Sequence, residues 1–550
     1  MPLLLAILPV LALFGAGYLV YGRFLARRFA LDPARPTPAW VLEDGMDYVP
    51  ARPGFLFAQH FSAISAAGPI VGPILAALWF GWVPAILWIA LGCVFLGAAH
   101  DFASLVGSVR HGARSVAEIM REHVGRPAFL LFLSFIWIAL LYVIVAFTDI
   151  TASEFTHAGF GGGVATSSLL YLGLAFALGL LLRWRQLPLP LVAGIFGPLL
   201  LAAIWLGPKA PIVLPEWVAE NPRKAWDLLI LAYCFVAAVL PMWLLLQPRG
   251  FLGGFLLYGF LAAGAIGLLF GGLTVRAPAF LGFTSPGHGS LFPILFVTIA
   301  CGACSGFHGL VCSGTTSKQL RSESDARLVG YGAMLAEGVV ALIALATVMM
   351  GTQASKPDEI FAGGIARFLS VIGIPVGLAT GFGFLALTTF IYDTLDVTTR
   401  LARYILQELC GWTGSFGRYA ATAATVVPAA VFLMALPDDA YATVWSLFGT
   451  SNQLLAALTL TGIAVWLART GRSPAIAVLP LVFLAAVTLV SLVLHVRGGL
   501  TGQSGGAAQV IAISAAVLLL LAGSLFWMAL RAARGARTPT GRPVLEDHGA

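Results

Sequence analysis

Charge is what this chain has least of. Only 10% of its 550 residues are Asp, Glu, Lys or Arg, where a water-covered surface needs roughly 25%. That excludes a soluble globular protein. Cysteine is scarce too: Cys93, Cys234, Cys301, Cys304, Cys312 and Cys410 all lie in or beside hydrophobic segments, which argues against a disulfide framework. The formal net charge of +7 is spread through short loops, with no large soluble domain to present it to nucleic acid. Short segments of alternating hydrophobicity are missing, so a membrane β-barrel is excluded as well. What is present is apolar. Hydrophobic residues make up 59% of the chain, gathered in runs of about 20, the length of helix that crosses a bilayer core. The sequence predicts an all-α polytopic membrane protein.

About fifteen spans can be placed. Residues 3–22 are too long, and are followed by too basic a stretch, for a cleaved signal peptide, and read as a retained first helix. Residues 355–372 are shorter and interrupted and read as a loop or interfacial helix. With the N-terminus outside, about 24 of the 31 Lys and Arg residues fall in inner loops or the C-terminal tail, the asymmetry that basic residues show across a membrane. This predicts an external N-terminus and a cytoplasmic C-terminus.

Two spans are interrupted by glycine, proline and polar residues. The first reads Gln59-His60-Phe61-Ser62 and then Ala67-Gly68-Pro69-Ile70-Val71-Gly72-Pro73; the second reads Cys301-Gly302-Ala303-Cys304-Ser305-Gly306-Phe307-His308. A broken helix frees N–H and C=O groups, tolerated in a membrane only where they line a cavity or bind something. Matched breaks in two halves point to the substrate site of a secondary transporter. The spacing of spans predicts an extra helix at 1–22, a five-helix repeat at 55–207 and two connecting helices at 226–273. A second five-helix repeat follows at 290–468, then two helices at 475–530 and a tail at 531–550. An odd number of spans separates the repeats, so the second is inverted, giving a LeuT-like (APC-type) five-plus-five architecture with two discontinuous helices.

Several strings resemble the carbon starvation protein A (CstA) family. They are Glu43-Asp44-Gly45-Met46-Asp47-Tyr48-Val49-Pro50, the Gln59–Pro73 stretch, Ala98-Ala99-His100-Asp101-Phe102, and Cys301 to Lys318. Asp396-Val397-Thr398-Thr399-Arg400 and Phe448-Gly449-Thr450-Ser451-Asn452-Gln453 complete the set. The resemblance runs from about residue 40 to 470 and implies a bacterial inner-membrane transporter tied to carbon starvation, taking up peptides, or pyruvate with a proton. Where the family usually reads His-His-Phe, this chain has Gln59-His60-Phe61.

Ionisable groups inside a membrane are costly, at roughly 2.5–3.5 kcal/mol each on insertion scales, and mark candidate sites. For the substrate the candidates are His60, Ser65, Gly68, Pro69, Gly72, Ser305, Gly306, His308, Asn452 and Gln453. A half-helix N-terminus beyond such a break suits a carboxylate, and pyruvate and a peptide C-terminus both carry one. For proton or cation coupling they are Asp393, Thr388, Thr389, His60, Asp101 and Glu337. In LeuT-like proteins the third helix of the second repeat meets the broken first helix, which would turn Thr388, Thr389 and Asp393 toward the Ala66–Val71 carbonyls. Gln59 in place of a His makes Asp393 the first choice for the proton and His60 the second. Each has a bland alternative. Asp101 can anchor to Arg110 or Arg114, Asp396 can pair with Arg400, and Glu337 can pair with Lys318 or His308. The run Thr450–Gln453 either cross-links helices or lines the pathway. Cys301, Cys304, His308 and Cys312 superficially suit zinc, and are read as a helix-packing face.

The expected function is import of a small carboxylate nutrient, peptide or pyruvate, by proton symport. The alternative is a sodium-coupled symporter of amino or organic acids. A membrane-embedded enzyme would need a nucleophile–base pair or a full metal set, and a channel would not need paired breaks. No cofactor and no metal is expected. The partners are the substrate, H⁺ or Na⁺, and the lipid bilayer, with no nucleic acid.

Overall fold

The computed structural model describes residues 1–44, 48–65, 67–185, 187–215, 220–241, 243–352, 354–435, 437–438, 440–501 and 506–535. Gly45, Met46, Asp47, Ala66, Leu436 and the tail from 536 onward lie outside the described residues.

The apolar runs fold as helices because a helix is the one open-ended element that satisfies all its backbone within lipid. In chain order they are α1 (Leu3–Arg28), the pair α2 (Pro53–Ile64) and α3 (Gly68–Phe80), α4 (Trp82–Arg110), the short α5 (Val116–His123) and α6 (Arg126–Phe155). Next come α7 (Gly161–Trp184), α8 (Leu189–Leu206), α9 (Pro222–Val239), α10 (Leu246–Phe270) and α11 (Leu291–Thr298). After a single turn at Ala300–Ala303 follow α12 (Gly306–Val311), α13 (Glu323–Met349), α14 (Pro357–Ser370) and α15 (Val376–Cys410). The chain closes with α16 (Gly414–Ala435), α17 (Ala440–Arg469), α18 (Ala475–Leu500) and α19 (Gly506–Arg534). A two-stranded hairpin, Thr284–Ser285 against Gly289–Ser290, precedes α11.

Among the described residues, twelve helices are long and apolar enough to cross a membrane, or thirteen when α2 and α3 count as one bent span. The chain is thus a multi-pass helical membrane protein. Two of the fifteen expected spans fall outside that count, for physical reasons. Helix α9 carries Arg223, Lys224 and Asp227 within its 18 residues, and the second interrupted segment is divided into α11, the turn and α12. Residues 355–372, read as a loop or interfacial helix, contain the helix α14.

The interruptions fall where glycine and polar residues cluster. Helix α2 stops at Ile64 and α3 starts at Gly68 with its axis turned by 48°. In the second segment Cys304 (φ −162°, ψ 113°) and Ser305 (φ −117°, ψ 127°) are extended, and α12 resumes at Gly306. The two broken segments pack on each other through glycine. A Cβ at Gly68 would collide with the Cys301 side chain, and one at Gly72 with the Thr298 carbonyl. Small residues allow this close approach where lipid supplies no hydrophobic drive.

Wide π-helical turns interrupt α4 at Gly92–Gly97, the stretch after α12 at Cys312–Thr316, and α13 at Arg327–Gly332. Such turns free backbone groups. The Tyr331 hydroxyl donates to one of them, the Val94 carbonyl, at 3.0 Å. All three pack on the second half of α4, which carries His100 and Asp101.

Candidate functional site

The centre of the bundle holds a chain of buried ionisable groups. Asp101 of α4 accepts from Nδ1 of its neighbour His100 at 2.8 Å and from Nδ1 of His308 on α12 at 2.8 Å. On the other side of the His308 ring, Nε2 lies 3.1 Å from the Glu337 carboxylate of α13. That contact has ion-pair distance but not hydrogen-bond alignment, and both Glu337 oxygens are buried without a hydrogen-bond partner. His308, Asp101 and Glu337 are at most 1% exposed. One imidazolium between two carboxylates leaves the group one negative charge from neutrality, in a setting where uncompensated charge is costly. The set can therefore take up one proton and give it back.

His60, near the end of α2, joins this cluster from the first broken segment. Its Nδ1 is 2.8 Å from the Thr316 hydroxyl, and its Nε2 is 3.8 Å from the Cys312 sulfur, which donates to the Asp101 carbonyl at 3.5 Å. The second broken segment thus reaches Asp101 directly, and the first reaches it through Cys312. Neither Arg110 nor Arg114 pairs with it. Arg110 holds Glu323 at 3.0 Å and Arg114 holds Glu118 at 3.3 Å. The arginines sit a helical turn or more beyond Asp101 along the chain, too far to compete with the two imidazoles. Glu337 takes His308 rather than Lys318, whose ammonium lies over the Tyr48 ring.

The second break is splinted by α17. The Asn452 side-chain oxygen accepts from the Phe307 amide at 2.9 Å, and its amide donates to Ser305 Oγ at 3.0 Å and Cys301 Sγ at 3.2 Å. Gln453 donates to the Phe296 carbonyl at 2.8 Å, and the Trp445 indole to the Thr298 carbonyl at 3.1 Å. Backbone groups freed by unwinding are thereby returned to hydrogen bonds, as burial requires. Of the two readings of Thr450–Gln453, the cross-link between helices is the one Asn452 and Gln453 make. A Cβ at Gly306 would collide with the Asn452 carbonyl, so the approach Gly306 permits is that of α17. Asn452→Leu is expected to strand the Phe307 amide and lower stability by about 1–3 kcal/mol, read as a fall in the melting temperature of the detergent-solubilised protein.

The first break has no such splint among the described residues. Ser65 is buried, and its hydroxyl has no partner. His100 Nε2 and Ser104 Oγ are likewise buried without partners. A buried polar atom left unpaired calls for a reason, and these three atoms, two hydroxyls and an imidazole nitrogen, lie on the first break and on α4. A cavity lined by Val71, Ile150, Ser153, Asp358 and Leu387 has about 10 Å³ of free volume, room for roughly one water.

The Asp393 region differs from expectation. Thr388 donates to Glu154 of α6, not to the carbonyls of the first break, and the Thr389 hydroxyl is buried without a partner. Asp393 is 2.8 Å from both Nε and Nη2 of Arg249. Asp396 pairs with the same guanidinium and accepts from Tyr233 at 2.9 Å, so it does not form the expected pair with Arg400. Arg400 instead donates to the Ala237 and Leu240 carbonyls at the end of α9, a partner set only tertiary folding supplies. Arg249 is the shared partner of both carboxylates. Sequence reasoning missed it because Gln247-Pro248-Arg249-Gly250 reads as a turn, whereas the residue lies in the first turn of α10 with no exposure. Glu154 was missed as well, since it stands at the end of its span. Its signal was a carboxylate within one turn of an otherwise apolar run.

The zinc-like spacing does not gather. Cys301 bonds Asn452, His308 stands between carboxylates and Cys312 faces His60 and Asp101, because the extended residues at 304 and 305 break the helical face the spacing assumed.

With this geometry in place, the comparisons with known proteins are specific. Residues 3–357 and 349–491 match the family described as carbon starvation protein CstA. A peptide transporter CstA of Helicobacter pylori is 33% identical over 88% of this chain and 80% of its own length. A pyruvate/proton symporter, BtsT of Escherichia coli, is 30% identical over 86% of this chain and 78% of its own. A manganese transporter structure from Eremococcus coleocola covers 90% of the chain at 14% identity, with a TM-score of 0.47. The family match spans both interrupted segments, and two thirds or more of each sequence relative is covered, so the chain belongs to the carbon starvation protein CstA family.

Proposed function

We propose that this protein is a secondary transporter that imports a small carboxylate nutrient, a peptide or pyruvate, together with a proton. The observation that carries the reading is the buried Asp101–His308–Glu337 set, one proton from neutrality, at the meeting of the two interrupted segments. A proton taken up there neutralises the centre and so favours a rearrangement that the charged form resists. The names borne by relatives, peptide transporter and pyruvate/proton symporter, agree with this chemistry.

The substrate carboxylate belongs at the first break. The buried Ser65 hydroxyl is without a partner there among the described residues, whereas the Phe307 amide of the second break is already taken by Asn452. Asp393 with Asp396 and Arg249 is a second set with the same charge balance and is the alternative seat of the proton. We further propose fifteen crossings, adding α9 and the broken α11–α12 segment to the thirteen spans, with the N-terminus outside and the C-terminus in the cytoplasm. On that count the bundle is a LeuT-like pair of inverted five-helix repeats in the inner membrane of a bacterium meeting carbon starvation.

The test is uptake in proteoliposomes under an imposed pH or sodium gradient, across pyruvate, lactate, amino acids and dipeptides. Accumulation of a carboxylate driven by inward protons, with sodium absent, is expected. Accumulation only with sodium, or flux without counterflow, overturns the reading.

A further inference from the structure

Helix α4 ends at Arg110, and the chain turns sharply into α5 through Gly112 (φ 70°) and Ala113 (φ 56°). The turn folds His111 back onto the end of α5, where Glu122 and His123 are adjacent. His111 Nδ1 donates to the Gly107 carbonyl at 2.6 Å, which fixes the tautomer and leaves a lone pair on Nε2. That Nε2 stands 2.9 Å from Nε2 of His123. The Glu122 carboxylate is 4.0 Å from the first of these nitrogens and 3.8 Å from the second.

Two nitrogens on one zinc-class ion at about 2.0–2.1 Å stand about 2.9–3.3 Å apart, for ligand angles of about 90–110°. The imidazole pair already has that spacing, and the Glu122 side chain, 43% exposed, needs to close by only about 1 Å to complete a three-ligand set. The charges of Arg110 and Glu118 are occupied elsewhere. Arg110 is held by Glu323, and Glu118 by Arg114 and Arg121. Arg469 faces His123. A backbone carbonyl holding the far nitrogen of a metal-binding imidazole is the usual supporting arrangement.

We infer that His111, Glu122 and His123 form a binding site for a divalent zinc-class metal ion, with water completing its coordination from the exposed side. The ion would brace α5 to the end of α4, the helix that carries His100 and Asp101, with the His111 ring resting on Trp466 of α17 at 5.2 Å.

The test uses the untagged full chain in detergent, stripped with chelator and titrated with Zn²⁺ by calorimetry. One Zn²⁺ per chain is expected, with affinity falling at least about 10–100-fold in His123→Ala and in Glu122→Gln. His123→Ala should still take up substrate normally in chelated buffer, which shows it is folded. His123→Gln serves as the second variant if His123→Ala fails to fold. Absence of saturable Zn²⁺ binding by the wild type, or equal affinity in a folded His123→Ala, overturns the site and leaves an imidazole–imidazole hydrogen bond in its place.

Discussion

Glu337→Gln is expected to exchange labelled substrate across a vesicle membrane at near the wild-type rate and to lose accumulation driven by a pH gradient. The amide has the shape of a protonated carboxyl but cannot release a proton, so it fixes the centre in its neutral form. Exchange needs no net proton release; accumulation does. Of the two carboxylates beside His308, Asp101 is already committed, accepting from two imidazoles. Glu337 has no aligned donor, so it is the oxygen pair free to carry the proton. The effect should be large, since losing coupling removes the concentration ratio altogether, while the amount of protein in the membrane stays unchanged. Asp393→Asn belongs in the same experiment. If that variant loses accumulation and Glu337→Gln keeps it, the driving proton sits beside Arg249 instead.

Arg249→Met should be the most damaging single change to the fold. The guanidinium touches Asp393 and Asp396 and donates to Tyr233, and it is fully buried. Removing it leaves the buried Asp396 carboxylate and the partly exposed Asp393 carboxylate with no countercharge, at about 3–5 kcal/mol, a large share of the roughly 5–15 kcal/mol that holds a typical domain. Loss of monodisperse protein on size exclusion is the expected readout. Arg249→Lys should rescue poorly, since one ammonium cannot span contacts made by a planar fork. Combining Arg249→Met with Asp393→Asn and Asp396→Asn should restore folded protein without transport. Normal yield of Arg249→Met alone would show that the carboxylates are already neutral, and the charge argument for this cluster would fall.

That the chain is a multi-pass helical membrane protein was legible because it depends on a one-dimensional quantity, the length of apolar runs. The interruptions at Ser65–Gly68 and Cys304–Gly306 were legible for the same reason, as glycine, proline and polar residues interrupting those runs. Which charges meet was not. Asp101 has arginines 9 and 13 positions on and chooses a histidine 207 positions away; Asp396 passes over Arg400 for an arginine from another helix. Sequence spacing reports only neighbours along one helix, whereas burial selects partners by three-dimensional packing. Arg249 escaped for a related reason: a Pro-Arg-Gly string has the same composition in an exposed turn and in the first turn of a buried helix.

The glycine contacts around the two broken segments change how a mutational map of this protein must be interpreted. Gly68, Gly72, Gly306 and Gly449 each lie so close to backbone or sulfur of a neighbouring segment that even one added methyl group collides. An alanine scan scored by growth would therefore light up the interrupted segments as if they were the substrate-contacting surface, when the loss is of shape, not of recognition. The two signals part company in rare survivors. A packing variant that reaches the membrane should discriminate among substrates as the wild type does, only more slowly. A recognition variant at Ser65 should change the order of preference itself.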